Sequence, residues 1–147
     1  MSMQTYRGFE VRTDRYYHHD TNLWVLPIDE HRVRVGLDSL GLEINGTLAQ
    51  LTLLDPPQTV AEGDAIGSLE AEKYVGALTS PIAGVVVAAN QEVLANVSAL
   101  YAGCYDTWIV ELEIAPSALR CLVAPDDAFE DFTKRVETFR AAGVLAW

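Results

Sequence analysis

The chain is 147 residues long and half of it is hydrophobic, which fits one domain with one sizeable core. Ten basic residues against 21 acidic ones leave a formal charge of −11, a balance that opposes phosphate backbones and anionic lipid and suits basic protein surfaces. No apolar run approaches the roughly 18 residues of a membrane span, and Met1-Ser2-Met3-Gln4-Thr5 lacks the basic-then-apolar order of a signal peptide, so a cytoplasmic protein with no nucleic-acid or membrane partner is expected.

Residues 1–14 are polar and mixed, with Tyr6, Phe9 and Val11 as their large apolar groups, and are expected to be frayed or partly docked. Tyr16-Tyr17-His18-His19-Asp20 invites a metal reading, but neighbours on a strand point to opposite faces, which places His18 and His19 badly for sharing an ion. Residues 23–28 and 31–37 predict a hairpin around Asp29-Glu30, with Val33, Val35 and Leu37 inward and Arg32 and Arg34 in solvent. Asp38 or Ser39 is placed to cap a brief helix that ends before Asn45-Gly46. Residues 48–54 read as a strand stopped by Asp55-Pro56-Pro57.

A second hairpin is predicted from residues 65–70 and 74–78, with Glu70-Ala71-Glu72-Lys73 leading into its turn. Ser80-Pro81 and Ala83-Gly84 then turn the chain into a third strand, Val85-Val86-Val87. Residues 91–102 are less regular and suit a turn of helix or a packed loop. Residues 108–114 alternate, with Trp108, Val110, Leu112 and Ile114 on the inward face of a half-buried strand. After Ala115-Pro116, Asp126-Asp127 stand where negative charge favours a helix start, and Phe129, Phe132, Val136 and Phe139 form its apolar stripe. Gly143 is placed to end that helix; Val144-Leu145-Ala146-Trp147 either packs with it or forms a partner-docking tail.

Lys73 stands out by number as well as place. Eight of the ten basic residues are arginines, and the other lysine is Lys134. A lysine between acidic strands suits chemistry that needs a primary amine, which arginine does not supply. Cys104 and Cys121 form no CxxC pattern and read as ordinary thiols; the alternative is that Cys104, before Trp108, exchanges with a sulfur compound carried on Lys73. No Ser/His/Asp spacing, G-x-G-x-x-G or G-x-x-x-x-G-K-[ST] points to a catalytic enzyme.

Gly63, Asp64, Gly67, Glu70 and Lys73, followed by Ser80-Pro81, Gly84, Val86 and Asn90, resemble the biotinyl/lipoyl attachment domains, in which the lysine is modified. Biotin carriers flank that lysine with methionines; Glu72 and Tyr74 stand here, which favours lipoate. Trp24-Val25, residues 33–37, Gly36, Gly46 and Trp108-Ile109-Val110 extend the resemblance over residues 17–114, to the H protein of the glycine cleavage system. Gly76 and Ala77 stand where H proteins have serine and aspartate, and Lys73-Tyr74-Val75-Gly76 resembles the H-like lipoate-binding proteins of bacterial sulfur oxidation.

The resemblance implies a mainly β protein, a flattened lipoyl/biotinyl-type β-sandwich (barrel-sandwich hybrid) with a short internal helix and a C-terminal helix. It divides the chain into an N-terminal extension (1–16), an H-type lipoyl domain (17–115) and a C-terminal helical segment (116–147). It implies a carrier with lipoate on Lys73 and with Glu70, Glu72 and Tyr74 as flanking recognition residues. The implied partners are a lipoate-protein ligase and heterodisulfide-reductase-like sulfur-oxidation enzymes. The alternative set is glycine decarboxylase, aminomethyltransferase and dihydrolipoamide dehydrogenase; a competing class is an H-like interaction domain that is never modified.

Overall fold

The computed structural model describes residues 2–145. Its first two strands, β1 (Met3–Tyr6) and β2 (Phe9–Arg12), form an antiparallel hairpin where fraying or partial docking was expected. Arg7 and Gly8 at the turn both have positive φ, the condition of the tight turns whose twist matches paired strands. Phe9 and Val11 alternate inward and are buried against Leu40, Phe132 and Val136, so β2 is docked while β1 stays largely exposed, which is the partial docking expected.

The chain continues through β3 (Tyr16–His18), β4 (Leu23–Pro27), β5 (Arg32–Leu37), α1 (Ser39–Asn45), β6 (Leu48–Leu53) and β7 (Gln58–Val60). The lysine hairpin follows as β8 (Ala65–Ala71) and β9 (Val75–Thr79), then β10 (Gly84–Ala89). Residues 91–102, expected to hold a turn of helix or a packed loop, form two short helices, α2 (Gln91–Ala95) and α3 (Ala99–Ala102). Last come β11 (Val110–Glu113) and α4 (Ala128–Ala141).

Besides the two-stranded β1-β2 sheet, six antiparallel strands in the order β3-β4-β5-β11-β10-β7 make one sheet of the sandwich, and β6-β8-β9 make the other. Leu48 and Leu51 of β6 and Ile66, Leu69 and Ala71 of β8 pack with Val33, Val35, Val86, Val110 and Leu112 of the larger sheet in one core. Burying such a side chain contributes about 1.5–3 kcal/mol each. A bulge at Ala65–Gly67 lets Ile66 and Leu69, three apart, both face inward. Gly36 is required beneath Trp24, since a Cβ there would lie 2.2 Å from the indole ring.

The strand expected at residues 108–114 begins only at Val110. Ile109 is buried although the alternation put it outward, and Trp108, expected inward, is half-exposed beneath the Arg34 guanidinium. His18 and His19 part as expected: His18 lies between Glu62 (2.7 Å) and Thr21 (2.9 Å), and His19 lies 2.6 Å from Asp131. No cluster among the described residues has the ligands for a metal ion, and no described helix is long and apolar enough to cross a membrane.

A second, smaller core lies between β2, α1 and α4. Phe132 and Val136 are fully buried there, Phe129 and Phe139 partly, so the predicted stripe on α4 faces inward. Leu145 closes this core, which removes it from any docking tail; Ala146 and Trp147 of that expected tail lie outside the described residues. Beside this core is a buried ion pair. Arg135 of α4 donates to Asp38 (2.9 Å), to Asp131 (3.0 Å) and to the Asn22 side chain (2.6 Å).

Candidate functional site

The site is the turn between β8 and β9. The Ala71 amide donates to the Tyr74 carbonyl (2.8 Å), which leaves Glu72 and Lys73 at the tip. Neither has positive φ, so the turn lacks the backbone conformation that by itself suits a two-residue hairpin. It is held from outside instead. The Glu72 amide donates to the Thr47 carbonyl (2.8 Å) and the Lys73 amide to the Asn45 carbonyl (2.9 Å).

Those acceptors are fixed by α1 and the segment after it. Asp38 caps α1 by accepting from the Gly41 amide (2.8 Å), as the sequence suggested. Asn45 donates its side-chain amide to the Gly41 carbonyl (2.7 Å), and Gly46 leaves the helix with φ of 71°. The Tyr101 hydroxyl, on α3, donates to the Gly46 carbonyl (3.3 Å) and accepts from the Leu48 amide (2.7 Å). The Asp38 cap and the Asn45-Gly46 helix end were legible in the sequence; the parts played by Thr47 and Tyr101 were not.

Lys73 is exposed, and its amine has no ion-pair or hydrogen-bond partner among the described residues. Lys134 is different: it pairs with Glu130 at 3.0 Å. The sequence singled out Lys73, Glu70, Glu72 and Tyr74, and the structure gives them three different settings. Glu70 is exposed on β8 between the inward-facing Leu69 and Ala71. Glu72 and Lys73 line a groove of about 420 Å³ together with Ser39, Glu43, Thr47 and Tyr101. Tyr74 lines a second groove, of about 350 Å³, on which Leu37, Ile44, Leu69, Ala77 and Phe139 also open. Its hydroxyl donates to the Ala77 carbonyl (2.7 Å) across Gly76, where a Cβ would lie 2.8 Å from the hydroxyl oxygen.

Asp38, one acidic residue of this region, is fully buried and engaged by Arg135, so it faces neither groove as a free charge. Cys104 is buried among Tyr17, Trp24 and Tyr105, and burial pushes its thiol up to about 12, which keeps it protonated at neutral pH. That setting fits the reading of an ordinary thiol. Cys121 is exposed.

The model of the Glycine cleavage H-protein family matches residues 15–135. The chain belongs to the glycine cleavage H-protein family. H proteins of this family are carriers and hold lipoate covalently on a lysine. Among relatives, a probable glycine cleavage system H protein 3 of Sulfurisphaera tokodaii is 32% identical over 88% of this chain and 96% of its own length. The glycine cleavage system H protein of a Listeria monocytogenes strain is 33% identical over 71% of this chain and 84% of its own. The crystal structure of a Mycobacterium marinum H protein superposes with a TM-score of 0.71 at 25% identity, covering 84% of this chain and 98% of the other. The expected lipoyl-type β-sandwich is therefore the fold, and the β1–β2 hairpin lies before the matched family region.

Proposed function

We propose that lipoate is attached to Lys73 and that the chain presents this arm in the cytoplasm, first to a lipoate-protein ligase and then to its partner enzymes. The observation that carries the reading is the free, exposed amine at a hairpin tip held by α1 and its C-terminal segment. An amine attacks an activated acyl group as the free base, so the ligase removes the proton and this chain contributes access. When attached, lipoate supplies thiol–disulfide exchange. Glu70, Glu72 and Tyr74 flank the tip as the surface a partner reads, on the 17–115 domain, which β2 and α4 brace through α1.

For the cargo, we favour a sulfur-bearing group handled by heterodisulfide-reductase-like enzymes. Gly76 and Ala77 offer no side-chain acceptor where a cationic cargo would need one beside the arm, and the groove beside Tyr74 sets Leu37, Ile44, Leu69 and Phe139 against a single carboxylate, Asp20. A glycine-cleavage role has its own support: Glu43 and Glu72 on the groove that holds Lys73 are counter-charges for a cationic cargo, and the relatives above are named as H proteins.

Incubation with a lipoate ligase, lipoate and ATP should add one lipoyl mass to the intact protein and none to a folded Lys73→Arg variant. Adduct that persists in the variant overturns the assignment. Offering the lipoylated protein to glycine decarboxylase with glycine and labelled bicarbonate then separates the cargoes: exchange as fast as with an authentic H protein refutes the sulfur reading.

A further inference from the structure

We infer that Glu72 is a positioning residue: its side chain clamps the lysine turn onto the end of α1, beyond any part its charge plays in recognition. The inference rests on Lys73 being the modified residue.

Three hydrogen bonds join the tip to residues 45–47. Two are backbone bonds, from the Glu72 and Lys73 amides to Thr47 and Asn45. The third is the Thr47 amide donating to Glu72 Oε1 (3.3 Å), so Glu72 closes a two-way link with Thr47 through its amide and its carboxylate. Gly46 makes the room. A Cβ at Gly46 would lie 2.5 Å from Glu72 Oε1 and 3.0 Å from Glu72 Cβ, and with φ of 71° this position disfavours any other residue.

The turn needs such a link because its own conformation is not the self-sustaining kind. Without it the tip samples more conformations, and a ligase must order the tip while binding it. The clamp sets where the Lys73 amine is found, while its carboxylate also adds to the acidic surface. The two roles separate by isostere: glutamine keeps the acceptor and loses the charge, alanine loses both.

Amide exchange on the unmodified protein and ligase kinetics test this together. In Glu72→Ala the Glu72 and Lys73 amides should exchange faster, and KM for the ligase should rise about tenfold with kcat little changed, the fold-change expected for freeing roughly one residue of backbone. Glu72→Gln should restore both. Equal impairment of the alanine and glutamine variants would assign Glu72 to charge alone. Unchanged exchange in Glu72→Ala would overturn the clamp whichever residue the ligase modifies, and modification elsewhere than Lys73 would overturn the site assignment while leaving the exchange result to stand.

Discussion

Replacing Arg135 with methionine should cost this protein a large part of its stability. Arg135 is 2% exposed and Asp38 fully buried, and the guanidinium is the one cation bonded to that carboxylate among the described residues. In Arg135→Met, Asp38 keeps the Gly41 amide and loses its countercharge. Stranding a buried charge in this way costs about 3–5 kcal/mol, against the roughly 5–15 kcal/mol that holds a domain folded. For a chain of this length that is a fall in Tm on the order of 10 °C or more. Burial already pushes the Asp38 carboxyl upward, and Arg135 is the main influence against it. With the arginine gone the folded pKa rises further, so the native state holds a proton that the unfolded chain releases. The penalty is therefore full above the folded pKa and shrinks as pH falls toward the unfolded value. Urea and thermal unfolding of the two proteins from pH 8 to pH 4 measure this, and Asp38→Asn in the variant background should recover much of the loss. A deficit under about 1 kcal/mol, or one that grows on acidification, would refute the reasoning.

The N-terminal hairpin provides a second pH test. Glu137 is held down to about 2, chiefly by the Tyr6 hydroxyl and also by Arg140 and Arg7. Its contribution should be present above the ordinary value of 4.5 and be lost as pH falls toward about 2. Thermal melts of wild type and Glu137→Gln should thus differ near neutrality and converge in acid; a constant gap would contradict it. Glu70→Lys should slow lipoylation at low salt and flatten its dependence on ionic strength, because Glu70 is exposed near the tip and steering by surface charge is screened by salt. Equal rates for both proteins at every salt concentration would remove electrostatic steering.

The lysine hairpin was legible in the sequence because strand periodicity and turn residues coincide there: Leu69 and Ala71 go in, Glu70 stays out, and the break between them and β9 leaves Lys73 at the tip. The β1–β2 hairpin was less legible. Its turn uses Arg7-Gly8 where Asn-Gly is the strong signal, and β1 carries no inward alternation of its own, since Phe9 and Val11 of β2 do the burying. Arg135 was visible as a position, lying between Phe132 and Val136 on the apolar stripe, but its role depends on Asp38 arriving from 97 residues away. The clamp on the tip was hidden for the same reason. Glu72 and Thr47 are 25 residues apart and meet only because β6 pairs with β8 in this register.

The place of β11 has a consequence for how the protein is made. It is the strand through which β3-β4-β5 joins β10-β7, so the larger sheet is two separate pieces until residues 110–113 leave the ribosome. The three strands that carry Lys73 are complete by residue 79. Synthesis runs at about 5–20 residues per second, so a few seconds separate the synthesis of β9 from that of β11, and Tyr101, which fixes residues 46–48 beside the tip, is made in between. The same delay makes the segment between β10 and β11 the natural place to divide the gene: two fragments split there would each hold part of the large sheet, and their reassembly would require β11 to dock against both β5 and β10.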